Sequence, residues 1–319
     1  MLDHILNGPG GVRSGWRLLL FVILAAIPFF IIQVLLSAAV FRLNLSHGLP
    51  PTLILIAEGL EFLCPLFAAW VMLHLEKKSF RDYGLPARGA FGREFWAGAA
   101  IGFAALSALV LGIRLCHGFY FGRVALGAGG ILYFGGMWAA AFLVVGFAEE
   151  FLFRGYALAT LSDGIRFWPA AIALSVLFGL VHLSNLGENQ LGALSAGFVG
   201  LLFCFSLRRT GSLWFAIGLH AAWDYAESFI YSVPNSGVLV QGHLMNSHFQ
   251  LNAPAWLTGG SVGPEGSVFV FVVLAIMFVV VERMYPEVRF PARPAADERK
   301  LRPEGDVVSS VPETAGGNE

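Results

Sequence analysis

Ala148-Glu149-Glu150-Phe151-Leu152-Phe153-Arg154-Gly155-Tyr156 sets two adjacent carboxylates and an arginine inside an apolar run. A charged side chain at the centre of a membrane helix costs about 2.5 to 3.5 kcal/mol even on the gentlest scale. Such residues need partners. Read as helix, Glu150 and Arg154 stand at i and i+4 with the acid on the N-terminal side, the favoured order for a helical ion pair. Glu149 lies about 100° round the helix, out of easy reach of the same arginine. One glutamate therefore reads as structural and the other as spare. A spare carboxylate at membrane depth is protonated, hydrated in a cavity, or paired with another helix, and His182 and His220 are the candidate partners.

The composition gives those charges their setting. Of 319 residues, 57% are hydrophobic and 13% charged, with a mean hydropathy of +0.71, which is the composition of a membrane protein. The apolar material comes in blocks near the roughly 20 residues that a membrane-spanning helix needs and lacks the alternation of a β-barrel. The fold class is thus expected to be all-α, a polytopic transmembrane helical bundle of about eight spans. The blocks fall at 18–41, 52–74, 95–115, from 132 to a break at Ser162-Asp163-Gly164, and then at 167–185, 190–207, 212–232 and 267–285. The first is too long for a signal-peptide core and reads as a span. With the N-terminus inside, every Lys and Arg except Arg42, Arg114 and Arg123 falls on the inner side or within a span, as basic residues do in cytoplasmic loops. Both termini are therefore expected in the cytoplasm.

Four regions follow: an N-terminal hairpin over 1–75, a membrane core over 76–235, an extracytoplasmic connection with the last span over 236–285, and a Pro- and charge-rich tail over 286–319 expected to be disordered. A net charge of −1 without a basic stripe outside the loops gives no case for nucleic acid. Cys64, Cys116 and Cys204 show no metal-type spacing, and no disulfide framework is expected.

Two more polar pairs lie within blocks: Phe178 with His182, and His220 with Asp224, each four apart and so on one helix face. At 1.5 Å per residue, Glu149 stands about 20 Å and His182 about 24 Å above the break that joins their blocks; His220 and Asp224 stand about 14 and 20 Å above Gly211. All four can share one layer. A carboxylate beside a histidine can take a proton from water and pass it on, and a second histidine can donate to an oxyanion. Glu149, His182 and His220 would equally suit zinc with an open position for water. Both routes give hydrolysis, and no nucleophilic Ser or Cys stands out.

Glu149-Glu150-x-x-x-Arg154, Phe178-x-x-x-His182 and His220-x-x-x-Asp224 resemble the three motifs of the CPBP family of intramembrane glutamic endopeptidases, which includes the type II CAAX prenyl proteases. Ser79-Phe80-Arg81-Asp82-Tyr83-Gly84-Leu85 is similar to the family's loop before its core. The resemblance implies that Glu149 activates water with His182 close by, that Glu150 and Arg154 hold the architecture, and that His220 and its partner four residues on form an oxyanion hole. It implies a membrane-associated or prenylated-type protein or peptide substrate, a lipid bilayer setting in the cell membrane, and no cofactor, with zinc disfavoured. The last position departs from the pattern, which typically has Asn there. An ionised Asp224 cannot donate, so it either donates as a protonated acid or sits behind His220 as its support.

Plainer readings stand beside these. Polar residues in spans can be simple helix-to-helix glue, and Phe178 reads first as packing. Glu58 and Glu61 share a face and fit no motif; Glu227 lies one turn beyond Asp224; His74, His117, His243 and His248 need only solvated roles. A proton-coupled transporter would also bury Glu, His and Arg, but no internal repeat is found. A non-catalytic scaffold or immunity protein is the other alternative.

Overall fold

A computed structural model describes residues 6–8, 11–40 and 49–290. The chain is an all-α bundle. Helices α1 (Ser14–Val40), α2 (Pro51–Glu76), α3 (Arg93–Leu115), α4 (Ala128–Glu150), α5 (Leu158–Ile165), α6 (Phe167–His182), α7 (Gln190–Thr210), α8 (Trp214–Asp224) and α9 (Phe269–Met284) occupy all eight apolar blocks. Among the described residues, five continuous helical stretches are long and apolar enough to cross a bilayer: Ser14–Ala38, Pro51–Glu76, Arg93–Leu115, Ala128–Ile165 and Gln190–Thr210. The outward faces are apolar, with Ile27 and Phe30 of α1 59% and 69% exposed. Charge lies inside instead, where Glu150 and Arg154 are fully buried. That inversion suits a hydrocarbon solvent, which rewards no polar contact.

The expected break at Ser162-Asp163-Gly164 is not one. The helix runs through it to Ile165 and stops at Arg166, a non-glycine residue at φ 69°. Tertiary docking overrides the turn signal: Asp163 pairs with Arg17 at 2.9 Å, and Gly164 leaves the space that Ser14 fills. Most of the turn at 44–51, Arg42, and residues 291–319 of the expected tail lie outside the described residues. The segment before them returns to the bundle, where the amides of Arg289 and Phe290 donate to the Arg208 carbonyl at 2.9 and 3.1 Å.

The broadest helix contact is α3 against α8. It is glycine-lined: a Cβ on Gly98 or Gly102 would strike the carbonyls of Phe215 or Leu219, and one on Gly218 the carbonyl of Phe95. Small residues let membrane helices approach backbone to backbone, and here they fix α8, which carries His220 and Asp224. Among the described residues, two π-helical segments interrupt the bundle, Phe151–Ala157 after α4 and Tyr225–Ile230 after α8. Gly155 in the first has ψ −110°, well outside the helical region, and kinks the path into α5.

The polar connection after α8 is a packed roof rather than a loose loop. His248–Phe249 pairs antiparallel with Phe119–Tyr120, and Trp138 of α4 donates its indole N–H to the Gln241 carbonyl at 2.9 Å. Glu265 ties the roof to α8 and to itself. Its Oε1 accepts from Trp223 Nε1 at 3.0 Å, and its Oε2 from the Ser236 amide and hydroxyl at 3.1 and 2.7 Å.

Candidate active site

The last turn of α4 and the π segment behind it place Glu149, Glu150 and Arg154. Arg154 Nη1 donates to Glu150 Oε1 at 3.1 Å with both side chains fully buried. The guanidinium lies 4.2 Å from the Phe178 ring centroid and 5.3 Å from that of Phe203, so Phe178 covers a cation as well as packing. Gly200 makes room for it: a Cβ there would stand 2.6 Å from Arg154 Nη2.

His220 of α8 stacks on Phe203, the ring centroids 5.2 Å apart. Its Nδ1 lies 3.0 Å from Glu150 Oε1, the same oxygen that takes Arg154. Its Nε2 faces Asp224 Oδ2 at 3.6 Å and Glu149 Oε2 at 3.9 Å. Glu150 thus stands behind the imidazole, and Asp224 shares the front with Glu149. The front distances are longer than direct hydrogen bonds. Asn235 from the roof lines the same cavity as Asp224.

Glu149, His220, Asp224 and Asn235 line a cavity of about 200 Å³ together with His182, Glu58 and Asn185, while Glu150 and Arg154 stand behind its wall. His182 ends α6 and its Nδ1 is held at 2.8 Å by the Phe178 carbonyl, which leaves Nε2 for the cavity. No hydrogen bond or ion pair joins His182 to Glu149 among the described residues. Several polar atoms are under-satisfied: Glu149 Oε2, Glu150 Oε2 and Arg154 Nε and Nη2 have no hydrogen-bond partner among the described residues. No three His, Cys, Asp or Glu side chains are grouped to hold a metal among them either.

The sequence motifs therefore converge on one cavity, and the structure adds residues that sequence reasoning gave no role. Glu58 of α2 lines the wall, while Glu61 on the same face turns away to accept from Gln33 at 2.8 Å. Asn235, Ser236 and Glu265 come from the roof. Glu227 is fully buried beneath it, with neither oxygen hydrogen-bonded among the described residues. One signal pointed to the roof: a connection of more than about 15 residues inside a compact fold is usually functional. Just outside the spans, Glu188 approaches the same side of the molecule, and burial raises its carboxyl above the usual range.

Residues 131–226 match the family model described as type II CAAX prenyl endopeptidase Rce1-like. No curated protein and no solved structure gave a match to the chain. The matched stretch opens in α4 and closes in the second π segment, so it contains every motif residue on the cavity wall. Over this stretch the chain is similar to the type II CAAX prenyl endopeptidases, a family of membrane proteases.

Proposed function

We propose that the chain is a glutamate-type intramembrane endopeptidase that cleaves a membrane-associated protein or peptide, of the prenylated type that the family description names. The observation that carries this reading is the meeting of Glu149, His220 and Asp224 on the wall of one cavity that His182 also lines. Glu149 takes a proton from water, and the hydroxide attacks the scissile carbonyl. Protonated His220 donates from Nε2 to the oxygen that becomes negative. Glu150 holds the far side of the imidazole and is itself held by Arg154, so the donor is aimed before the substrate arrives. The proton on Glu149 then passes to the leaving amine, with His182 Nε2 as the nearby relay. A cavity of about 200 Å³ holds a few waters at about 30 Å³ each, so an extended substrate has to enter by displacing them.

This reading uses no metal. It is supported by the spending of His220 on carboxylates and by the absence, among the described residues, of a three-donor group. Stoichiometric metal in active protein, with activity lost to a chelator and restored by zinc, would replace it with a metalloprotease. The deciding experiment is comparative membrane proteomics of cells carrying wild type and Glu149→Gln. A hydrolase loses a cleaved product in the variant, by about 10² to 10⁴ in rate for a lost general base. A scaffold tolerates the near-isosteric change and shows no difference.

A further inference from the structure

The start of α3, the end of α7, the start of α8 and the end of α9 meet at the end of the bundle opposite the roof. Helix ends mark where a membrane chain leaves the hydrocarbon, so this level is the headgroup region of one leaflet. Between these ends lies a polar cavity of about 850 Å³, separate from the catalytic one.

Four guanidinium groups from three chain segments line it: Arg81 and Arg88 from the connection after α2, Arg93 in the first turn of α3, and Arg289 beyond α9. Two acids, Asp82 and Glu94, line it as well. Asp82 is already committed, its Oδ2 accepting from the Ser79 amide and hydroxyl at 2.7 and 2.9 Å. Arg289 pairs with exposed Glu287 at 3.3 Å, and the other three arginines form no ion pair among the described residues. The first turn of α3 has no side-chain cap, so its amides and the positive end of the helix dipole add to the field. Cytoplasmic loops are basic in any membrane protein. That general tendency does not bring arginines from three segments onto one concave surface.

The chemistry that suits convergent guanidinium forks is a phosphate, which arginine takes through paired N–H donors. Trp96, one turn along α3 from Arg93 and 65% exposed, supplies the aromatic side chain that sits at headgroup level. We propose that this cavity binds the phosphate headgroup of an anionic phospholipid, whose acyl chains run down the outer face of α3. The lipid would tie the 79–92 connection to α9, and the site is independent of the peptidase reading.

The test uses the full chain in nanodiscs of phosphatidylcholine doped with phosphatidylglycerol, with retained lipid read by native mass spectrometry. Wild type is expected to retain phosphatidylglycerol over phosphatidylcholine, and the Arg88→Ala, Arg93→Ala pair to lose about thirtyfold of that preference, as two basic residues at a membrane surface imply. Arg114→Ala with Arg123→Ala, at the other end of the bundle, is expected to leave it unchanged. Equal retention by wild type and the first pair overturns the site. Unchanged retention by Arg88→Lys with Arg93→Lys also overturns it, because net charge alone would then suffice. Displacement of the lipid by millimolar inorganic phosphate assigns the cavity to a soluble phosphate and overturns the lipid. If the alanine pair fails to fold, Arg289→Ala asks the same question with one residue.

Discussion

Around Glu76, at the end of α2, one carboxylate meets four donors. Tyr156 O–H bonds Oε1, while Tyr83 O–H at 2.8 Å, Arg17 at 3.0 Å and Lys78 at 3.3 Å share Oε2. Around Glu149, Glu150 and Asp224 the proportion is reversed, with three carboxyl groups against one guanidinium and one imidazole. Both clusters are ionisable and largely withdrawn from water, and both join helices distant in sequence. The Glu76 cluster fastens α1, α2, the 79–85 turn and the π segment together, and its donors leave the acid little to do. The Glu149 cluster keeps oxygens unsatisfied, and unsatisfied groups next to a cavity are those that can exchange a proton with a substrate or water. Satisfaction, more than burial, separates the fastening from the chemistry.

That distinction can be broken most sharply at Arg154. Arg154→Ala takes the guanidinium from fully buried Glu150 and leaves it the His220 imidazole, and stability in detergent should fall by about 3 to 5 kcal/mol, the cost of removing one partner of a buried pair. Glu149→Gln should leave the unfolding midpoint where it was. Equal losses in the two variants, measured by thermal unfolding, would erase the proposed division between them.

Asp224→Asn is the next largest effect. If Asp224 works by supporting cationic His220, the amide should cost about 10² in rate, in the range of a lost oxyanion donor. Near-wild-type activity, with the alkaline limb of the pH-rate profile moved or gone, would show instead that Asp224 donates as an acid.

Glu76→Gln should lower stability by about 1 to 3 kcal/mol through its stranded hydrogen bonds. Any remaining folded protein should turn over at the wild-type rate. A selective loss of turnover at constant stability would make the Glu76 cluster catalytic and void the comparison.

The smallest effect is expected at Asp82, where the Ser79 backbone amide first, and its hydroxyl second, hold the carboxyl below the ordinary aspartate range. A lowered folded pKa contributes stability above the unfolded pKa and loses it as pH falls through the folded value. Asp82→Asn should therefore cost under about 0.5 kcal/mol at neutral pH, as exposed sites do, and nothing in strong acid. A gap between variant and wild type that widens on acidification would reverse the sign.

The parts of this site that were legible in sequence are those where the solvent makes polarity expensive. Glu150 with Arg154, and His220 with Asp224, announce themselves because a charge in an apolar helix has few reasons to exist, and the helical period already says who can reach whom. Ser162-Asp163-Gly164 misleads for a related reason: its local turn chemistry is real, but Arg17 and Ser14 from α1 make better use of those residues inside a helix. The length of the roof segment was a signal, but its individual site residues were illegible, because Asn235 and Glu265 lie in a polar segment where one more Asn or Glu carries no surprise. Glu58 is an intermediate case. Its cost was visible, but nothing in its own segment says that α2 turns it toward Glu149's cavity while Glu61 turns away to Gln33. The π segments left no trace in the sequence that periodicity can detect.

The glycine seam between α3 and α8 bears on how a deep mutational scan of this protein would read. Gly98, Gly102 and Gly218 do not line the candidate site's cavity and carry no titratable atom, yet each admits a neighbouring backbone that even an alanine would push away. In growth-based selection these three positions should be as intolerant as Glu149. Surface abundance separates the two classes, because alanine at the seam should deplete the protein itself, whereas Glu149→Gln should leave a full complement of inactive copies in the membrane. A map of fitness alone would draw the active site too large, extending it along α3 to residues whose whole contribution is to be small.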